Sequence, residues 1–181
     1  MKRFIMTGAP GSGKTSILRL LADRGYAVVA EAATDVIAAA QARGTGEPWQ
    51  DPLFIDTVVR LQNHRLQDPV SPGAVAQVHD RSPVCTLALA RYLGHPVSAE
   101  LSDSIASITE GHIFDRRVLF ARTIGFCEPT PARQISYQDS LAFERVHAAE
   151  YLRLGFELVD IPAAPVQQRA DLAGALIRSW A

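Results

Sequence analysis

Cysteine, clustered charge and long apolar runs are all scarce in this sequence of 181 residues. Its two cysteines, Cys85 and Cys127, lie far apart without metal-ligand spacing, so we expect reduced thiols. The formal net charge of −1 argues against general nucleic-acid binding, which requires clustered positive charge. No apolar run approaches the roughly 20 residues that cross a bilayer, and the one near the start is too short for a signal peptide. These absences predict a cytoplasmic protein without a nucleic-acid partner or membrane span.

Short apolar runs alternate with helical patterns, and no repeat, linker or low-complexity segment divides the chain. This alternation is typical of βαβ units and a parallel sheet. A capping residue followed by proline predicts helix starts at Asp51-Pro52 and Ser82-Pro83. The predicted strands are residues 3–7, 26–30, 74–79, 117–122 and 156–161. We therefore expect an α/β protein, a doubly wound five-stranded parallel sheet with helices on both faces, in a single domain spanning residues 1–181.

Residues 7–16 read TGAPGSGKTS, and the segment from Gly8 to Thr15 fits G-x-x-x-x-G-K-[ST] at every fixed position. Glycines allow backbone N–H groups to turn inward around phosphate oxygens, and the following helix directs its positive end at the same anion. Lys14 adds a mobile positive charge for the β- and γ-phosphates, while the Thr15 hydroxyl is a ligand for Mg²⁺. The predicted nucleotide-binding residues are Gly8, Ala9, Pro10, Gly11, Ser12, Gly13, Lys14, Thr15 and Ser16. This phosphate loop predicts a site for Mg²⁺ and a nucleoside triphosphate, ATP or GTP.

Charged residues follow the second and third predicted strands, at the edge where a doubly wound sheet presents its functional groups. Glu31 follows the second strand, and Asp80 and Arg81 follow the third. Asp80 has the position of an acid that holds the Mg²⁺ water shell, and either Glu31 or Asp80 could take the proton of an acceptor. The planar guanidinium of Arg81 suits an anionic or hydroxylated acceptor. The plainer explanations are an acid at a helix N-terminus for Glu31 and a loop ion pair for Asp80 and Arg81.

A segment bracketed by prolines follows the fourth predicted strand and contains Arg133. Phosphoryl transfer spreads negative charge over three oxygens, and a mobile cation that closes over them stabilises that charge and expels water. We therefore expect a lid at about residues 125–150, with Arg133 as its catalytic cation. Solvation at the surface explains a single arginine equally well.

The order of these motifs resembles one protein group over nearly the whole chain. The resemblance is carried by GAPGSGKTS, EAATDVI, LQNHRLQ with Gln62 at a family glutamine, VHDRSPVCTLALARYLG, PAR at 131–133, and LRLGFELVDIP followed by VQQR. The chain resembles the small AAA-domain predicted ATPases allied to the NadR-type ribosylnicotinamide kinase domain. These belong to the nucleoside and nucleotide kinase-like P-loop NTPases.

The resemblance implies Mg-ATP or Mg-GTP in the phosphate loop, Asp80 and Arg81 at the metal and acceptor, and Arg133 in a lid. It also implies that the nucleotide base packs near residues 162–166. One position departs from the family pattern, because the arginine of the second helix would fall near Thr34, where this chain has Thr-Asp. The substrate of the relatives is therefore not carried over to this chain.

Two functions remain open at this stage. A small-molecule kinase would transfer the γ-phosphoryl group of ATP to a nucleoside, nucleotide or related metabolite held by Glu31, Gln62 and Arg81. A nucleotide-dependent switch, an ATPase or GTPase with slow hydrolysis, would instead act through a regulatory partner. In the kinase, the catalytic residues would be Lys14, Glu31, Asp80 and Arg133, with Thr15 and Asp80 at the metal. The charged residues directed at one crevice favour the kinase.

Overall fold

The computed structural model describes residues 1–70, 72–127 and 135–181. Within these residues the strands are β1 Arg3–Thr7, β2 Ala27–Val29, β3 Gln77–Asp80, β4 Arg117–Ala121 and β5 Glu157–Ile161. The helices are α1 Lys14–Ala22, α2 Ala32–Ala42, α3 Leu53–Gln67, α4 Pro83–Leu93, α5 Ala99–Glu110, α6 Tyr137–Arg153 and α7 Val166–Trp180. A 3-10 turn, Pro48–Gln50, lies between α2 and α3.

The strands form one parallel sheet in the order β2-β3-β1-β4-β5, which confirms the predicted doubly wound fold. Because β3 lies between β1 and β2, the loops that follow these three strands meet at one edge of the sheet. In the register of β1 and β3, Met6 lies opposite Asp80, and the Arg81 N–H donates to the Met6 carbonyl over 3.0 Å. The end of β3 is thereby fixed beside the start of the phosphate loop.

Helices cover both faces of the sheet, as the continuous apolar strands require. On one face, α1 and α7 pack their buried side chains, such as Leu21 and Ile177, against Phe4 of β1. On the other face, residues of α4, α5 and α6 pack against Ile5 and Val118. A separate apolar cluster joins α2, α3, α4 and α5 beyond the β2 side of the sheet. This outer layer forms a wall of the cleft described below.

Most predicted elements are found with shifted ends. The strand expected at 74–79 begins at Gln77 and includes Asp80. Ser82 caps α4 as predicted, since its hydroxyl accepts from the Val84 N–H over 3.3 Å and Pro83 is the first helical residue. The Asp51 carboxylate accepts from the Leu53 N–H over 2.9 Å, but Pro52 rather than Asp51 is the residue that precedes α3.

Both cysteines are free thiols, and Cys85 is buried. The part of the chain that the structure describes contains no group of three His, Cys, Asp or Glu side chains able to hold a metal ion. None of its helices has the length and apolar character needed to cross a membrane.

Gly8 occupies a position that leaves no space for a side chain. Its φ is +137°, and a Cβ atom there would lie 2.2 Å from the Ala121 carbonyl oxygen, at the end of the adjacent strand. Gly44 also has a positive φ, +94°, but a Cβ atom at this glycine would meet no other atom within 4 Å. Substitution of Gly44 therefore tests backbone strain alone, whereas substitution of Gly8 tests backbone strain together with a steric clash.

We expect Gly8→Ala to destabilise the fold far more than Gly44→Ala. Strain at a positive φ costs about 1 kcal/mol for alanine, whereas the clash at Gly8 requires β1 and β4 to separate and costs several times more. Urea denaturation of both variants gives the two free energies of unfolding. Equal losses would contradict the close approach of the phosphate loop to β4.

Candidate active site

The phosphate loop connects β1 to α1 and turns at three glycines. Gly8, Gly11 and Gly13 have φ values of +137°, +81° and +78°, which residues with a side chain rarely adopt. The Ser12 N–H donates to the Ala9 carbonyl over 3.2 Å and closes the turn. Together with the start of α1, the loop forms one end of a cleft of about 690 Å³. The predicted nucleotide-binding residues that line the cleft are Pro10, Gly11, Gly13, Lys14, Thr15 and Ser16, whereas Gly8, Ala9 and Ser12 are buried behind it.

Lys14 folds back onto the loop that it follows. Its ammonium group donates to the carbonyls of Gly8 and Ala9, over 3.1 and 2.9 Å, and contacts the Ser12 hydroxyl at 3.2 Å. Burial lowers the pKa of Lys14 from 10.5 to about 8, and the nearby Arg81 contributes to this lowering. An anion in the loop would stabilise the charged form of this lysine.

Arg81 and Glu31 form an ion pair that joins the ends of β3 and β2. The Arg81 Nε contacts Glu31 Oε1, and Glu31 Oε2 accepts from the Thr34 hydroxyl over 2.9 Å. Arg81 adopts a φ of +73°, which is uncommon for a residue other than glycine and aims its side chain from a strained turn. Burial opposes ionisation of Glu31, but the positive charges of Arg81 and Lys14 hold the pKa of its carboxyl below its ordinary value. Glu31 is thus an ionised base that lines the cleft.

His147 of α6 is the second partner of Arg81, and the sequence analysis missed it. Arg81 Nη1 lies 3.1 Å from His147 Nε2, and His147 Nδ1 lies 3.1 Å from the Phe143 carbonyl oxygen. Since a carbonyl only accepts, Nδ1 carries the proton and Nε2 accepts from Arg81. Burial and the charge of Arg81 lower the pKa of His147 well below its ordinary value. This histidine is therefore neutral and fixes the orientation of the guanidinium.

Asp80 lies beside the cleft rather than in it. Its Oδ1 is buried and accepts no hydrogen bond within residues 1–70, 72–127 and 135–181. Burial raises the pKa of the carboxyl from 3.8 to about 6, with Lys14 acting to lower it and Glu31 to raise it. A cation near Asp80 would lower this pKa and offset the cost of burying the carboxylate. Thr15, which is exposed, is the residue of the loop predicted to share such an ion.

The cleft continues from Glu31 and Arg81 into a largely apolar pocket between α2, α3, α4 and α6. Its apolar lining comprises Ile37, Trp49, Phe54, Val58, Leu89, Tyr92, Leu93 and Phe143. The Tyr92 and Phe143 rings lie 4.9 Å apart between centroids. Gln62 lines the pocket, and its amide oxygen accepts from the Thr86 hydroxyl over 2.8 Å. Within residues 1–70, 72–127 and 135–181 its amide N–H groups donate to no acceptor, so they can donate to a ligand.

The structure brings together most side chains that the sequence analysis selected. Lys14, Glu31, Gln62 and Arg81 all line the cleft, and Asp80 lies directly behind it, so the charges predicted at separate strand ends form one site. Arg133 and residues 128–134 of the predicted lid lie outside the described residues, and their role remains a prediction. Cleft residues without a signal in the sequence include Thr86, Tyr92 and Phe143.

The loop geometry, the helix that begins at its lysine and the strand order define a P-loop NTPase fold of the kinase-like type. The chain belongs to a family of AAA domains, whose model matches residues 3–169, and the predicted family resemblance is thereby confirmed. No curated protein sequence matches the chain.

Solved kinase structures have the same fold. Deoxyadenosine kinase from M. mycoides, with dCMP and dCDP bound, is similar with a TM-score of 0.62 and 11% identity, covering 99% of this chain and 100% of that one. The same enzyme with dATP gives a TM-score of 0.62 at 12% identity, over 98% and 100% of the two chains. Shikimate kinase from Acinetobacter baumannii, in complex with shikimate, gives 0.59 at 13% identity, over 99% and 94%. At these identities the similarity shows the fold alone.

We expect Asp80→Asn to stabilise the unliganded protein at neutral pH. The raised pKa means that the folded state binds the Asp80 proton more tightly than the unfolded state between about pH 4 and pH 6, so wild-type stability falls as the pH rises through that window. Asparagine does not ionise, so the variant avoids this loss in the free energy of unfolding, which amounts to about 3 kcal/mol above pH 6. Urea denaturation from pH 4 to pH 8 measures the difference between the two proteins.

Asp115→Asn is the matched control with the opposite sign. Hydrogen bonds from Arg117 hold the pKa of Asp115 below its ordinary value, so its carboxylate stabilises the fold at neutral pH and loses that effect on acidification. This variant is expected to be less stable than wild type at pH 7, and the difference shrinks toward low pH. A loss of stability for Asp80→Asn at pH 7 would show that its carboxylate is not desolvated.

Proposed function

We propose that this protein is an ATP-dependent kinase that phosphorylates a hydroxyl group of a small, uncharged acceptor with a planar ring, of the nucleoside class. The observation that carries this proposal is the continuity of the cleft. It extends from the phosphate loop, past the Glu31–Arg81 ion pair, into an aromatic pocket. A protein that only hydrolyses nucleotide needs the phosphate loop but has no use for a second pocket.

The phosphate loop would hold the triphosphate of ATP, with GTP as the other candidate. Lys14 would exchange its carbonyl partners for β- and γ-phosphate oxygens. Mg²⁺, held by those oxygens, by the Thr15 hydroxyl and through water by Asp80, would supply charge neutralisation at the phosphates. The buried Asp80 Oδ1, which accepts no hydrogen bond from the described residues, and the raised pKa of this carboxyl support this role, because a nearby cation would stabilise the carboxylate.

Glu31 is the better of the two candidate bases. It lines the cleft, where an acceptor can reach it, whereas Asp80 lies behind the cleft and is the residue proposed to hold Mg²⁺. In the transfer, the acceptor O–H gives its proton to a Glu31 carboxylate oxygen as the acceptor oxygen bonds to the γ-phosphorus. The bond from that phosphorus to the β,γ-bridging oxygen breaks, and ADP leaves. Arg81 would stabilise the transferred group with the N–H donors that Glu31 and His147 do not use.

The chemistry of the second pocket supports a neutral ring as acceptor. Its aromatic side chains, including Trp49, Phe54 and Phe143, offer flat apolar surfaces, and the Gln62 amide offers hydrogen-bond donors. In the described part of the cleft, the cationic side chains are Lys14 and Arg81, both at the phosphate end. The similar solved structures are kinases with nucleotides or with shikimate bound. The Asp139 carboxylate also lines this pocket and would repel a carboxylate such as shikimate, which favours an acceptor like a nucleoside.

We expect Lys14→Ala to abolish tight binding of Mg-ATP while the protein stays folded. The ammonium is the cation of the phosphate loop, and its removal takes away both a charge and a donor to the phosphates. Lys2→Ala is the control, since Lys2 is the other lysine of the chain and is exposed. Calorimetric titration with Mg-ATP measures both dissociation constants. Unchanged affinity in Lys14→Ala would refute the phosphate site.

The acceptor is tested by ADP formation with nucleosides, nucleotides and phosphorylated metabolites added one at a time. We expect one nucleoside-like compound to raise the rate by about 100-fold or more and to become phosphorylated. Glu31→Gln should then lower kcat by roughly two to four orders of magnitude with little change in KM for ATP, because proton removal is lost.

Asp35→Asn is the control for Glu31→Gln, since Asp35 lies on the helix that follows Glu31 but pairs with Arg65, outside the cleft lining. Its kcat should remain within a few-fold of wild type. A slow hydrolysis rate that no added compound changes would overturn the kinase and leave the nucleotide-dependent switch.

A further inference from the structure

Arg169 of α7 is buried directly behind the phosphate loop, with 3% of its surface exposed. One guanidinium nitrogen, Nη1, donates to the Ser12 carbonyl over 2.5 Å. The other, Nη2, donates to the carbonyls of Arg122 and Ile161, over 2.9 and 3.2 Å. These carbonyls belong to the phosphate loop, to the residue after β4 and to the last residue of β5. A single side chain therefore ties three strand-end segments together.

The loop is shaped to receive this guanidinium. A Cβ atom at Gly13 would lie 3.2 Å from Arg169 Nη1, and Gly13 has a φ of +78°. Glycine at this position thus serves two purposes, because it allows the turn into α1 and lets a planar cation pack against the back of the loop. Arg169 does not line the cleft, so any effect on a ligand must pass through the loop backbone.

Among the residues that the structure describes, no carboxylate neutralises the charge of Arg169. Across residues 1–70, 72–127 and 135–181 no ion pair includes Arg169, and its buried Nε has no hydrogen-bond partner. Burial lowers the pKa of this guanidinium, as expected for a desolvated cation. A buried charge that only carbonyl dipoles stabilise is costly in the unliganded protein. Negative charge placed on the opposite side of the Ser12–Gly13 backbone would compensate it.

We propose that Arg169 is a positioning residue of the nucleotide site, which holds the phosphate loop in its anion-binding shape and whose charge is compensated by the bound phosphates. This inference rests on the proposed nucleotide binding and extends it to a residue outside the cleft. By fixing the Ser12 carbonyl behind the loop, Arg169 keeps that acceptor away from the incoming anion. Its bonds to the ends of β4 and β5 give the loop a rigid support.

The test compares Arg169→Gln and Arg169→Lys with wild type, and Arg178→Gln serves as the control. Arg178 lies on the same helix but donates to the Tyr26 hydroxyl, away from the loop. Calorimetric titration with Mg-ATP and with inorganic pyrophosphate gives the dissociation constants, and urea denaturation gives the stability of each unliganded protein. Pyrophosphate reports on the phosphate loop without a contribution from the base.

We expect Arg169→Gln to weaken both Mg-ATP and pyrophosphate by about 10-fold or more, by similar factors, because both depend on the phosphate loop. Arg169→Lys should weaken them roughly 3-fold to 10-fold, since an ammonium keeps the charge but cannot reach all three carbonyls. Arg178→Gln should bind within about 2-fold of wild type. Loss of stability with unchanged dissociation constants would overturn the proposal and make Arg169 a structural residue only.

The outcomes also separate this inference from the proposed function. If wild type binds neither Mg-ATP nor pyrophosphate, the nucleotide site itself is wrong. If wild type binds both and the Arg169 variants bind equally well, only the role of Arg169 is wrong. Should Arg169→Gln not fold, Arg169→Lys decides, because unchanged affinity in that variant also overturns the proposal.

Discussion

The charge states in this site are governed by the burial of four ionisable side chains, which the loops and ends of three neighbouring strands bring together. Burial is the largest influence on the pKa of Lys14, Glu31, Asp80 and Arg81, and the pKa of each also responds to the charges of at least two of the others. Each of these charges would be strongly destabilising alone in a poorly hydrated space, so they are stable only as a set. The two acids of the set differ. Glu31 is an ionised carboxylate paired with Arg81, whereas the raised pKa of Asp80 shows that its carboxylate would be stabilised by a further cation. Different environments thus shift the pKa values of Glu31 and Asp80 in opposite directions.

Sheet topology brings the set together. The position of β3 between β1 and β2 places the residues that follow these strands at one edge of the sheet. The register that pairs Met6 with Asp80 aligns the end of β3 with the end of β1, where the phosphate loop begins. Two backbone positions of the site are exceptional, because Gly8 has no space for a side chain beside Ala121 and Arg81 is strained by its positive φ. Such strain persists only where surrounding packing supports it. Helices on both faces of the sheet supply that packing, through clusters on each side of β1.

Local patterns in the sequence were sufficient to predict the sheet, the phosphate loop, the acid that follows β2 and the acid that ends β3. Each of these signals lies within a few consecutive residues: a glycine motif, an apolar run that ends in a charge, a serine before proline. His147 could not be found in this way, because its partner Arg81 is 66 positions away in the chain. Arg169 is the last residue of the VQQR motif, but its contact with Ser12, 157 positions away, could not be read from that motif. A helical pattern identifies the buried face on which such residues lie. It does not distinguish a histidine packed in the core from one that orients a guanidinium.

The two partners of Arg81 explain how one side chain can be both fixed and available. An arginine has five N–H donors in a rigid plane, and the contacts to Glu31 and His147 fix that plane from two of its nitrogens. The remaining donors are already oriented when a phosphoryl group arrives, so little conformational entropy is lost on binding. Neutral His147 is essential to this arrangement, because a protonated imidazole could not accept from Arg81 and would repel it.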